Sequence, residues 1–153
     1  MTKIKLGAKI VCLLWVTFYA SCKDDCENVS CFTPPTPFQF ELEDKTSGEN
    51  VFTNGTYNSD DIKVMDLEDQ SSVAFSFIDE DDYNILKINT VGWKTETVTY
   101  SIQIATQPIF ELYVDAERKS GDCCSSTTYR EVRIDKAEFE TTNDPSFFKI
   151  ILN

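Results

Sequence analysis

Histidine is absent from this chain of 153 residues. A Ser-His-Asp triad, a Cys-His pair, a His-ligated metal and a histidine pH switch are therefore excluded within it. Glycine is scarce, with five residues that each stand alone. No glycine-rich loop exists to cradle a phosphate, and no Gly-x-Ser-x-Gly elbow presents a nucleophile. Positive charge is also short: 14 Lys and Arg face 26 Asp and Glu, a net charge of −12. Nucleic-acid binding is excluded on that balance, because neutralising phosphates takes clustered Lys and Arg. Long apolar runs are missing too. The segment from Ile10 to Ala20 (IVCLLWVTFYA) is largely apolar, but a spanning helix needs about 20 such residues.

What is present begins with an address. Lys3, Lys5 and Lys9 precede the apolar run without a single acid. A basic start and a short apolar core make a secretory signal. Ordinary signal peptidase cleavage fits poorly here, because bulky Tyr19 or Phe18 would occupy the position three residues before the cut. Tyr19-Ala20-Ser21-Cys22 instead resembles a bacterial lipobox, and Lys23-Asp24-Asp25 follows at once. This combination resembles the signal of Bacteroidetes-type outer-membrane lipoproteins. The resemblance implies cleavage before Cys22, acylation of Cys22, and export to the outer face of the outer membrane. Cys31 to Tyr57, with Thr33-Pro34-Pro35 ahead of an aromatic strand, is likewise similar to the opening of small lipoproteins of Flavobacteria-type bacteria. One acyl chain binds membranes only marginally, so a multiply acylated Cys22 would be the anchor. Removing residues 1–21 takes away three lysines and no acid, so the mature chain is more acidic still and is repelled by anionic lipid.

Six cysteines are present. Cys12 falls in the signal and Cys22 is the lipidation candidate. Cys26, Cys31, Cys123 and Cys124 remain, an even number in an exported chain, which suggests disulfides. Three connectivities are possible. Pairing within Cys26–Cys31 and Cys123–Cys124 would make a strained ring of adjacent residues. The other two cross-link the N-terminal segment to the late Cys-Cys pair, and a cross-link of that kind is the expectation. A zinc site from all four is disfavoured, because adjacent ligands suit a tetrahedral site badly.

Residues 22–37 read as a lipid-anchored tether rich in Cys and Pro. Thr33-Pro34-Pro35-Thr36-Pro37 favours an extended, semi-rigid chain. Residues 38–153 read as one domain. Phe38, Phe40 and Leu42 alternate with polar residues. So do Val73, Phe75 and Phe77; Val98 through Ile104; Phe110 through Ala116; Val132 and Ile134; and Phe148, Ile150 and Leu152. Period-two alternation of aromatic and β-branched residues marks half-buried strands. Turn signals lie between them at Thr46–Asn50, Asn54-Gly55, Asp79–Asp82, Asn89 and Ser120–Asp122. No stretch shows a helical period. The expected fold is all-β: an antiparallel β-sandwich, Ig-like or related, of eight or nine short strands. The apolar tail Phe147–Leu152 is expected inside a sheet, not at an open edge.

Candidate chemistry is sparse. Asp79, Asp81 and Asp82 form a weak Ca²⁺ candidate, since hard cations gather carboxylates, but no EF-hand spacing surrounds them. No other metal site and no cofactor is expected. Trp93 is the one Trp beyond the signal. It is expected in the core, and otherwise offers a stacking platform for a sugar or peptide. Paired carboxylates could hydrolyse glycosides, yet nothing singles out a pair, so the chain is not expected to be an enzyme. The leading expectation is a non-catalytic cell-surface lipoprotein, held to the outer membrane through Cys22, whose sandwich head binds a protein or glycan ligand or serves envelope assembly. The alternative is a periplasm-facing inhibitor or accessory subunit that binds one partner protein. A small carboxylate-based hydrolase is a distant third.

Overall fold

A computed structural model describes residues 31, 33–80, 83–121 and 123–153. The signal, Cys22 and Cys26 lie outside the described residues, as do Asp81 and Asp82. Cys31–Asn153 forms one compact unit.

Nine strands follow in order: β1 (Phe38–Asp44), β2 (Ile62–Asp66), β3 (Ser76–Ile78), β4 (Ile85–Ile88), β5 (Glu96–Ile104), β6 (Gln107–Ser120), β7 (Ser125–Asp135), β8 (Glu138–Thr141) and β9 (Phe147–Leu152). One 3-10 turn, Ser59–Asp61, is capped by Asn58. The strands form two sheets, one ordered β3-β4-β1-β9-β8 and the other β2-β5-β6-β7. The chain is thus the expected all-β sandwich. Alternation is the cause. In β1, Phe38, Phe40 and Leu42 are buried while Gln39 and Glu41 are only half-buried. In β6, Phe110, Leu112, Val114 and Ala116 go inward while Glu111, Tyr113 and Asp115 stay on the outer side.

The inner faces meet through aromatic rings. Phe40 of the first sheet lies 4.9 Å from Phe110 of the second, and Phe38 lies 5.0 Å from Tyr129, both as ring centroids. Such pairs add about 0.5–1.5 kcal/mol each beyond the area they bury. The outer face of β6 and β7 carries a lattice of ion pairs. Arg133 reaches Glu131 and Asp135, Arg130 reaches Asp115 and Glu117, and Lys119 reaches Glu117. The Arg133 guanidinium also sits 4.4 Å over the Tyr113 ring. Exposed pairs stabilise little. Their larger effect is to burden the long edge strand β7 with charge, which blocks strand-to-strand association.

Three features differ from the sequence reading. The run Val73–Phe77 is not one strand. Val73 N–H donates to Val64 O and Ser72 bridges Met65, so its first part folds back on β2, and only Ser76–Ile78 pair with β4. One strand pair is parallel: β9 lies between β1 and β8, running with β1 from Gln39↔Phe147 to Asp44↔Leu152. The tail is interior, as its apolarity required. Finally, residues 33–37, read as the end of a free spacer, lie against the head: Pro35 is buried, and both Thr33 and Thr36 carbonyls accept hydrogen bonds from it.

Candidate functional site

Strand register gives the head two ends. At one end β1 begins at Phe38 opposite Ile88 of β4, and β6 ends at Ser120 opposite Ser125 of β7. Glu96, which opens β5, pairs nearby with Ala116. At the other end β1 and β9 finish at Asp44 and Leu152, β6 begins at Gln107 beside Ile104, and β7 finishes at Asp135. Lys45 from β1's exit and Glu138 from β8 meet there at 2.8 Å, across β9 within one sheet.

The first end is stapled. Cys31 and Cys124 form a disulfide with Cα atoms 5.0 Å apart across 93 positions of sequence. Cross-linking of the N-terminal segment to the late pair is therefore realised, and the adjacent-cysteine ring is ruled out. Cys123 is disulfide-bonded as well; Cys26, the partner that the remaining connectivity assigns to it, lies outside the described residues. Beyond the staple, polar groups hold the incoming strap. Arg118 Nη2 donates to Thr33 O at 2.9 Å and its Nη1 to Thr127 Oγ1 at 2.8 Å. Tyr129 donates its hydroxyl to Thr36 O at 2.8 Å. Burial raises the Tyr129 phenol above its ordinary value, so this donor stays protonated. Gly92 lies beneath the strap with φ +93. A Cβ there would stand 2.8 Å from Thr127 Cγ2 and 3.1 Å from Pro35 Cβ. Only glycine suits a position with that backbone and that crowding. Its N–H donates to Glu96 Oε1 and its carbonyl accepts from Thr127.

Trp93 belongs to this end and corrects the core expectation. It is 48% exposed, and its indole N–H donates to Asn89 O at 2.9 Å. The cause is its neighbour: buried Gly92 takes the inward place in the loop, which turns the next side chain out.

The second end is open and carries two grooves that share Tyr57. One, of about 560 Å³, runs between Pro108, Ile109, Glu138 and Leu152. Its charges are mutually satisfied, because Lys136 meets Glu111 at 2.6 Å and Lys45 meets Glu138. The other, also about 560 Å³, has Phe52, Tyr57 and Phe77 in its walls with Asn58, Asp61, Asp79 and Asn84. No ion pair engages its carboxylates among the described residues. The loop that shapes it is firmly held. Val51 is buried, with its N–H on Leu42 O, and Asn50 Nδ2 donates to Asn84 O at 3.0 Å. Asn84 Nδ2 in turn donates to Thr53 Oγ1 at 2.6 Å. Gly55, at φ +76, closes the expected Asn54-Gly55 turn, and Asn54 Oδ1 accepts from Thr56 N–H and Oγ1.

Of the sequence candidates among the described residues, Asp79 reaches this groove and Trp93 sits at the opposite end. No group of three or more His, Cys, Asp or Glu is placed to hold a metal among the described residues. Sequence reasoning also passed over Ser146-Phe147-Phe148-Lys149, which has the Ser-x-x-Lys spacing. The structure separates its two ends: Ser146 Oγ donates to Asp144 Oδ1, while Lys149 pairs with Glu43 and, at 3.6 Å, Glu41. The displaced carboxylates are turn-formers. Asp44, Asp69 and Asp144 are all held below the ordinary range by hydrogen bonds, from the backbones of Ser47 and Thr46, from Ser71, and from Ser146 respectively. Comparison with protein-family models, curated proteins and solved structures finds no match to this chain.

Proposed function

We propose that this protein is a non-catalytic surface lipoprotein that is anchored through Cys22, held at its stapled end, and presents its open end as a binding face. The carrying observation is polarity. The chain joins the head at Cys31, where the disulfide and the strap contacts lie, and both Tyr57 grooves lie at the other end. Reach makes the polarity functional. Cys31 lies nine residue steps after Cys22, which span at most about 30 Å. The 14 residues of β6 extend for about 45 Å. A lipid on Cys22 would then keep the stapled end near the bilayer and the grooves beyond it. Net negative charge supports the same arrangement, since an acidic body is pushed away from anionic lipid. No helix among the described residues is long and apolar enough to cross a membrane.

The test is a Cys22→Ala variant fractionated beside the wild type. The wild type is expected in the membrane fraction, with an intact mass that carries fatty acyl groups. The variant is expected in the soluble fraction without them. Membrane retention of Cys22→Ala, or an unmodified wild-type mass, overturns the reading.

A further inference from the structure

We propose that the groove walled by Phe52, Tyr57 and Phe77 is a saccharide site that takes a sugar ring bearing no acid group. This rests on the open end being the binding face, and it adds the ligand class. The lining supplies both halves of sugar recognition. Three aromatic side chains offer apolar surface for the C–H faces of a ring, and the polar groups between them can read its hydroxyls. Phe52 and Phe77 meet edge to face at 4.9 Å, and both are half-buried, so they are fixed in place.

Hydrogen-bond accounting identifies the partner. Asn58 commits its Oδ1 to Asp60 N–H, which leaves its Nδ2 for a ligand. Asn84 commits its Nδ2 to Thr53, which leaves its Oδ1. Asp61 and Asp79 contribute carboxylates that enter no side-chain hydrogen bond or ion pair among the described residues. Acceptors therefore outnumber donors, and the ligand must bring many donors, as a polyol does. No Lys or Arg lines the groove, so a phosphate, sulfate or uronate would meet uncompensated negative charge. The volume of about 560 Å³ falls within the roughly 300–1,000 Å³ of small-molecule sites. The tethered loop makes the site preformed, which lowers the ordering cost of binding. The neighbouring groove across Tyr57 lacks this character, because aliphatic side chains and closed ion pairs line it.

The test uses the detergent-purified full chain. Its binding is screened on an array of neutral, amino and acidic glycans, and then followed by NMR shifts with the best neutral or amino glycan. Binding is expected only to glycans without acid groups, with the largest shifts among the described residues at 52–61, 77–80 and 83–84. Tyr57→Ala should weaken it about tenfold or more, and the exposed substitution Asp79→Asn should weaken it with an unchanged melting temperature. Trp93→Ala should leave it intact. Absence of any neutral or amino glycan from the array hits overturns the proposal, as do shifts mapping elsewhere or equal binding by both groove variants. None of those results touches the anchoring of Cys22, which membrane fractionation reads separately.

Discussion

The two ends of the sandwich solve different problems with the same kinds of residue. The stapled end uses a disulfide, a buried glycine and an arginine to hold a strap of chain that contains three prolines, so the polar groups of Arg118, Thr127 and Tyr129 are spent on the protein itself. The open end is also well ordered, but its loop hydrogen bonds leave part of the donor and acceptor capacity of Asn58, Asn84, Asp61 and Asp79 uncommitted. Fixing a fold consumes hydrogen-bonding groups, and recognising a ligand requires some to be left over. One end spends these groups on the fold and the other leaves some of them uncommitted.

The contrast can be broken most forcefully at the staple. Replacing Cys26, Cys31, Cys123 and Cys124 together with Ser should lower stability by about 4–5 kcal/mol, since Cys123 is disulfide-bonded as well and only the full set opens the loop of more than 90 residues that Cys31 and Cys124 close. Denaturant unfolding reads the loss. Amide exchange should rise first at residues 123–129, while residues 50–58 remain protected. Faster exchange at the Tyr57 loop instead would show that the ends are not independent. Glycine sharpens the same contrast. Gly92→Ala adds a clash to an unfavourable φ, so it should cost about 2–4 kcal/mol. Gly55→Ala meets no atom within 4 Å at φ +76 and should cost only about 1 kcal/mol. Equal losses would mean that the strap does not press on Gly92.

Acid should act weakly and at both ends. Asp44 at the open end and Asp144 at the stapled end are held below their ordinary value by hydrogen bonds. Depressed carboxylates contribute stability that is fully present above the unfolded range near about pH 4 and is lost as pH falls through their folded values. Thermal melts from neutral pH downward should therefore show a decline confined to acid conditions. Asp44→Asn and Asp144→Asn should each shallow that decline slightly, and an unchanged slope in both would remove these turns from the acid response.

How much of this was legible in the sequence follows the same division. Regular alternation exposed β1, β5, β6, β7 and β9, because their apolar side chains recur at every second position toward the facing sheet, although β7 fully buries only Ile134 and β5 also buries Ser101. Three strands gave little signal. β4 buries adjacent Ile85 and Leu86 and so breaks the alternation. β8 is an exposed edge with no buried residue. β2 has only two buried positions, Ile62 and Val64. The staple was legible from cysteine count and position, although the strap's docking was not, because Pro35 is buried by a glycine almost sixty residues away. The Tyr57 groove was invisible for a similar reason. Phe52 and Tyr57 come from one loop, and Phe77 and Asn84 flank another segment that only the sheet order brings beside it; of the four, the sequence reading placed Phe77 alone, in a strand. Trp93, the conspicuous aromatic, lies at the opposite end from that groove.

The polarity of the head on the cell is the central claim, and lysine footprinting tests it directly. Intact cells and detergent-solubilised protein are labelled with a membrane-impermeant amine reagent, and the ratio is taken for Lys45 at the open end and Lys94 at the stapled end, whose side chains are 47% and 78% exposed. The account predicts a ratio near unity for Lys45 and a clearly lower one for Lys94. Equal ratios, or better protection of Lys45, would contradict it, and no labelling of either on intact cells would place the head beneath the outer membrane.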